Sequence, residues 1–158
     1  MNKCAIDTII LEPYSTERIL LVSGYSCDEV LDWYHNSMGK PESNKLSEIQ
    51  KFYRLKDEYV RFIEDNRGDL DGLDKDGGGI GHGIYIYRES LENNCKLRMV
   101  ILKYGFSPSN PDNMRTLAHE MLHVCQEFLP QFLNRDEEME AEAYFHSFLM
   151  YSCYKLFL

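Results

Sequence analysis

Thr116-Leu117-Ala118-His119-Glu120-Met121-Leu122-His123-Val124 is the most informative stretch of this chain. It carries H-E-x-x-H inside an apolar, helix-forming run. Residues four apart on a helix share one face, one turn up. Two imidazoles so placed can both reach one tetrahedral zinc at about 2.0–2.1 Å. Glu120 follows the first histidine directly and so points slightly to one side. From there a carboxylate can take a proton from a water on the metal. The bare pattern is short and also arises on ordinary surface helices. Here the apolar setting argues that the histidines are not plain solvent-facing residues, and a histidine pair and a glutamate near a core would need partners.

The flanks support a helix at this place. Asn110-Pro111 is a strong start, because Asn caps and Pro suits the first helical position. The helix is predicted to run to about Phe128. Leu129 to Arg135, with Pro130 and Asn134, reads as a short connection. Asp136 to about Lys155 reads as a final helix, with Asp136, Glu137 and Glu138 in its first turn, where the helix dipole favours acids.

A catalytic zinc needs a third protein ligand and one open position. The candidates are Glu137, Glu138, Glu140, Glu142 and His146. At about 100° per residue, Tyr144, Phe148, Tyr151 and Tyr154 fall within about 80° of Glu140, whereas Glu138, Glu142 and His146 fall on the opposite side. Glu140 is therefore expected at the centre of a buried stripe, where a carboxylate demands a partner such as a metal. Glu142 is the second choice. Glu137 sits in the exposed first turn.

Upstream, His82 to Arg88 and Lys96 to Tyr104 read as two strands of an antiparallel hairpin. Gly83-Ile84-Tyr85-Ile86-Tyr87 resembles the first half of the GIY-YIG nuclease signature, but the second half is missing. Arg67 to Gly81 is rich in Gly and Asp and is expected to be a loop. It is not an EF-hand. Counting from Asp69, Asp71 or Asp74, the twelfth position, which must be acidic, is Ile80, His82 or Tyr85. The Arg67-Gly68-Asp69 tripeptide inside it is taken as coincidence. Further upstream, Lys45 to Asn66 is predicted as a long helix on the spacing of Ile49, Phe52, Tyr53, Leu55, Tyr59, Val60 and Ile63. Cys27 to Asn36 is predicted as a helix capped by Ser26, with Asp28 and Glu29 in its first turn. Residues 5–11 and 18–23 read as short strands.

The whole chain has 158 residues, enough for one domain with a real core. Its 44% hydrophobic and 27% charged residues are those of a globular protein. With 17 Lys and Arg against 26 Asp and Glu, the net charge is −9. An acidic chain has no general attraction for nucleic acid or for an anionic membrane surface. Five widely spaced cysteines without a C-x-x-C point to reduced thiols rather than a zinc knuckle or a redox pair. No apolar run is long enough to span a bilayer. Asp7 and Glu12 break the N-terminal apolar stretch, which makes a poor signal peptide. A cytoplasmic location is expected.

His119, Glu120, His123 and Glu140-Ala141-Glu142-Ala143-Tyr144 together resemble the gluzincin metallopeptidases, whose pattern is HExxH followed by E-x-x-x-D or E-x-x-A on a second helix. The segment from Met99 to Tyr151 is also similar to small HExxH proteins of bacteria and their phages. The resemblance covers about the last third of the chain. It implies a zinc-dependent peptidase with Glu120 as general base and His119, His123 and Glu140 as ligands. It implies an edge strand that pairs with an extended peptide substrate, for which Lys96 to Tyr104 is the candidate. It also implies an oxyanion stabiliser, with Tyr144, Tyr151, His82 and Arg115 available. Tyr144 stands where many gluzincins carry an aspartate that supports a zinc-bound histidine.

The expectation is thus a single α+β domain over residues 1–158, minimal and zincin-like. A hairpin or small sheet would pack on the HExxH helix and a Glu-bearing C-terminal helix. Residues 82–155 would carry the metal site, and residues 1–80 would be an α+β part of unassigned role. The partner would be a peptide or protein substrate. The rival readings are a zinc site that is structural or partner-binding, and a helical packing module without metal.

Overall fold

The computed structural model describes residues 5–11, 17–72, 83–92, 95–131 and 135–157; side chains at 5, 10, 131 and 135–140 lie outside that description. Its elements, in chain order, are β1 (Ala5–Ile10), β2 (Arg18–Ser23), α1 (Cys27–Met38), α2 (Leu46–Asp65), α3 (Arg67–Gly72), β3 (Gly83–Ser90), β4 (Cys95–Leu102), α4 (Pro111–Phe128) and α5 (Arg135–Leu156), with a 3-10 turn over Leu129–Gln131. The fold is α+β: a mixed four-stranded sheet with five helices among the described residues.

The sheet order is β1-β2-β4-β3. β1 and β2 pair antiparallel, β2 and β4 parallel, β4 and β3 antiparallel. The β3–β4 hairpin agrees with the sequence expectation. The place of β4 does not. Residues 96–104 were expected to form an edge strand, yet β4 is central and β3 holds the edge. The reason is visible in the composition: β4 reads Cys-Lys-Leu-Arg-Met-Val-Ile-Leu and is buried from Leu97 onward. A strand apolar on both faces belongs between two covering layers.

Both layers exist. Ile19, Leu21, Val100 and Leu102 pack with Leu117, Met121, Val124 and Phe128 of α4 and with Phe145, Leu149, Cys153 and Phe157. Leu20, Val22, Met99 and Ile101 point to the opposite face, against Val30 and Tyr34 of α1, Phe62 and Ile63 of α2, and Leu70 of α3. Residues 1–80 therefore supply two strands of the sheet and one entire helical layer.

Local signals account for the starts of α1 and α4. Ser26 accepts from the Glu29 amide while Glu29 returns to the Ser26 amide, a full capping box on α1. Asn110 accepts from the amides of Asp112 and Asn113, and Pro111 opens α4. α3 departs from the expected loop over residues 67–72. Leu70, 3% exposed, anchors it in the core. Asp71 accepts from the Cys27 amide at 2.9 Å, and Arg67 meets Asp28 at 2.9 Å. The Gly- and Asp-rich segment thus serves as a clasp on the start of α1. The remainder of that expected loop, from residue 73, lies outside the described residues.

The buried side of α5 is the reverse of the expected one. Phe145, Leu149, Cys153 and Phe157 are buried, whereas Tyr144 is 72% and Tyr151 62% exposed. Phe148 and Tyr154 are exposed as well. Both sides of this helix are apolar, so periodicity alone selects neither. Phe145 stacking on Phe128 at 5.3 Å, and His146 Nε2 donating to the Ala118 carbonyl at 3.0 Å, fix which side meets α4. Leu149→Ala is therefore expected to cost about 2–5 kcal/mol in urea unfolding. Tyr144→Ala should stay within about 0.5 kcal/mol of the parent. Equal losses at the two positions would contradict this packing.

Cys27, Cys125 and Cys153 are free and buried, and Cys95 is free and half-buried. Burial pushes Cys153 up to about 12, and burial with the nearby Glu142 carboxylate does the same to Cys125. Such thiols pack as small apolar groups and do not act as nucleophiles. Cys4 lies outside the described residues. No helix is long and apolar enough to cross a membrane among the described residues.

Candidate metal centre

His119, Glu120 and His123 lie on the middle turns of α4. The two histidines face solvent, contrary to the expectation from their apolar helix, and only Glu120 is buried, at 7% exposure. The helix buries its Leu117, Met121, Val124 and Phe128 side against the sheet and so turns the histidine side outward.

The histidine rings nonetheless converge. Their Nε2 atoms lie 3.1 Å apart, with the rings nearly perpendicular and their centroids 4.6 Å apart. Two nitrogens each about 2.0–2.1 Å from one tetrahedral zinc are about 3.3 Å apart. The pair is thus already spaced for a shared ion. His123 Nδ1 sits 3.3 Å from Gln126 Oε1. A carbonyl oxygen accepts, so Nδ1 carries the proton and Nε2 keeps its lone pair toward His119, as metal ligation requires. Gln126 was missed by the sequence reading. Its signal was the i, i+3 spacing from His123 on one helix. It orients the His123 ring, while Tyr144 stands where many gluzincins carry an aspartate that supports a zinc-bound histidine.

Glu120 faces the edge strand. A Cβ built on Gly83 would lie 3.4 Å from Glu120 Cγ and 3.0 Å from Thr116 Cγ2. A side chain at the first residue of β3 would crowd these neighbours by a few tenths of an ångström, so glycine lets strand and helix come this close. The outer side of β3 pairs with no strand among the described residues.

One turn beyond His123, a buried ionic knot fastens α4 to the sheet. Glu127 receives Arg98 Nε at 2.6 Å, Arg98 Nη2 at 3.2 Å and the Tyr85 hydroxyl at 2.7 Å. Arg98 is fully buried and lies between the Tyr87 and Phe128 rings, 5.4 and 5.2 Å from their centroids. Its Nη1 is 3.4 Å from Glu17 Oε1, near enough for charge attraction though without hydrogen-bond geometry. Burial alone would lower the Arg98 pKa, but the Glu127 carboxylate outweighs it and the guanidinium stays charged. Burial and the Glu127 hydrogen bond push the Tyr85 phenol well above its ordinary range. The knot ties α4 to β3 and β4 two turns after Glu120.

The candidate third ligands divide. The Glu140 side chain lies outside the described residues, as do those of Glu137 and Glu138. Tyr144 and Tyr151, which share the expected stripe with Glu140, are exposed, so that side of α5 is not the buried one. Glu142 acts on Cys125, which is about 140° around α4 from the histidine pair. His146 spends its Nε2 proton on the Ala118 carbonyl. No group of three His, Cys, Asp or Glu suited to a metal occurs among the described residues. Of the candidate oxyanion stabilisers, Arg115 is exposed one turn before His119, Tyr144 and Tyr151 are exposed on α5, and His82 lies outside the described residues. No family model, no curated protein and no solved structure matches the chain.

Proposed function

We propose that this chain is a zinc-dependent peptidase of zincin-like build. The observation that carries the reading is the His119–His123 pair, its Nε2 atoms 3.1 Å apart and one of them oriented by Gln126. His119 and His123 would hold the ion, with Glu140, the ligand that the resemblance to gluzincins implies, as the third and Glu142 as its competitor. Bound zinc would polarise the scissile carbonyl and acidify an attacking water. Glu120 takes that water's proton and returns it to the departing amine nitrogen. Its shielded position beside β3 keeps the carboxylate close to a substrate laid along the strand. The free side of β3 supports docking of an extended peptide by backbone hydrogen bonds. Exposure of both histidines suits a substrate as large as a protein.

A second reading, a zinc site that is structural or partner-binding, draws on the same histidines. Two variants and one assay separate these readings. The purified chain is expected to cleave members of a peptide library, to stop after chelation and to resume on zinc addition. Glu140→Ala should lower zinc affinity by more than the about 10–100-fold that losing an outer-sphere partner costs. Glu142→Ala should leave zinc affinity unchanged. Tight zinc binding with no cleavage of any peptide would favour the structural reading instead.

A further inference from the structure

A cavity lined by no residue of α4 lies apart from His119. It encloses about 1250 Å³ on the other side of the sheet, between β1 and β2 and the helices α1 and α2. Small-molecule sites occupy about 300–1,000 Å³, so a drug-sized ligand fits with room for water. Ile6 and Leu20 supply apolar wall from the strands, and Trp33, Tyr34 and Tyr59 supply aromatic wall from the helices. Tyr34 and Tyr59 are stacked with centroids 5.5 Å apart. Trp33, the single tryptophan of the chain, is only half-buried there.

Two features distinguish this cavity from a packing gap. Tyr34 is 2% exposed, and its hydroxyl has no hydrogen-bond partner among the described residues. Burial keeps that phenol protonated, so it is a donor in need of an acceptor. The second feature is charge. Lys51 and Arg54 stand one turn apart on α2 at the cavity rim, and neither has an ion-pair partner among the described residues. Arg18 borders the same space, held by Thr8 Oγ1 at 2.9 Å. Lys96 is a fourth cation of the lining, and of its three carboxylates Asp7 accepts from the Thr8 amide, Glu17 faces Arg98 and Glu92 is exposed at the rim. In a chain of net charge −9 the lining of this one aromatic cavity is thus net positive, four cations against three carboxylates, with Lys51 and Arg54 together on one side.

We propose that this cavity is a binding site for an organic anion with a planar apolar body. The rings of the ligand lie against Trp33 and Tyr59, and its anionic group meets Lys51, Arg54 and Arg18. The proposal is independent of the peptidase reading, because no residue of the α4 site borders this cavity.

The test uses the full chain and two dyes that share one ring system. 1-Anilinonaphthalene-8-sulfonate is anionic, and N-phenyl-1-naphthylamine is its neutral counterpart. The sulfonate should quench Trp33 saturably at one equivalent and bind at least about tenfold more tightly than the neutral dye. The double variant Lys51→Glu, Arg54→Glu alters two exposed side chains and keeps the circular dichroism of the parent. It should weaken the sulfonate at least about tenfold while leaving the neutral dye unchanged. Absence of saturable Trp33 quenching by the sulfonate would overturn the proposal. So would sulfonate affinity that survives the charge reversal.

Discussion

Glu120→Gln should retain the fold and the zinc of the parent and lose peptide hydrolysis by about 10²–10⁴-fold, the usual contribution of a general base. The substitution is nearly isosteric, and an amide oxygen cannot carry the proton that a carboxylate takes from water. Glu120 is mostly buried against the first residue of β3, so the amide keeps the packing. His119 and His123 are on the neighbouring exposed face and keep their spacing. The readout is cleavage rate, with zinc content and melting temperature measured on the same sample. Loss of zinc together with activity would make Glu120 a ligand instead. Unchanged cleavage would remove it from the chemistry.

The largest stability effect is expected at Arg98. Arg98→Ala should cost about 3–5 kcal/mol, because it strands a buried carboxylate and empties a packed site. At about 2–4 °C per kcal/mol for a chain of this size, melting falls by about 6–20 °C. Glu127 loses two guanidinium bonds, while the Tyr87 and Phe128 rings lose the cation beside them. Arg98→Lys should recover little, since one ammonium cannot reproduce the fork that spans both Glu127 oxygens. Arg98→Met combined with Glu127→Gln should cost less than the sum of the two single changes, as coupled residues do. Strict additivity would mean that the two charges do not interact.

Local chemistry carried the sequence reading furthest. Asn110-Pro111 and Ser26 through Glu29 announce their helix starts because capping involves neighbours in the chain. The HExxH spacing likewise depends on one helix only. The failures lie where sequence-distant segments choose one another. Nothing in Arg18 to Ser23 says that it will pair parallel with β4, which places β4 in the centre and leaves the edge to β3. α5 carries two apolar sides, and only contact with Phe128 and Ala118 decides which is buried. That choice removed the reason for favouring Glu140. Arg98 reads as a lone interruption in an apolar strand, while its partner Glu127 sits 29 residues away on another element.

Zinc analysis of protein purified without added metal, followed by zinc titration, tests the central claim most directly. One equivalent of zinc is expected, lost in His119→Ala and in His123→Ala. At free zinc about 100 times Kd, binding adds about 2.7 kcal/mol. The parent should then melt about 5–10 °C higher while the two variants do not move. Zinc below roughly a tenth of an equivalent, with melting unmoved by added zinc where a bound ion would stabilise the fold, would contradict it.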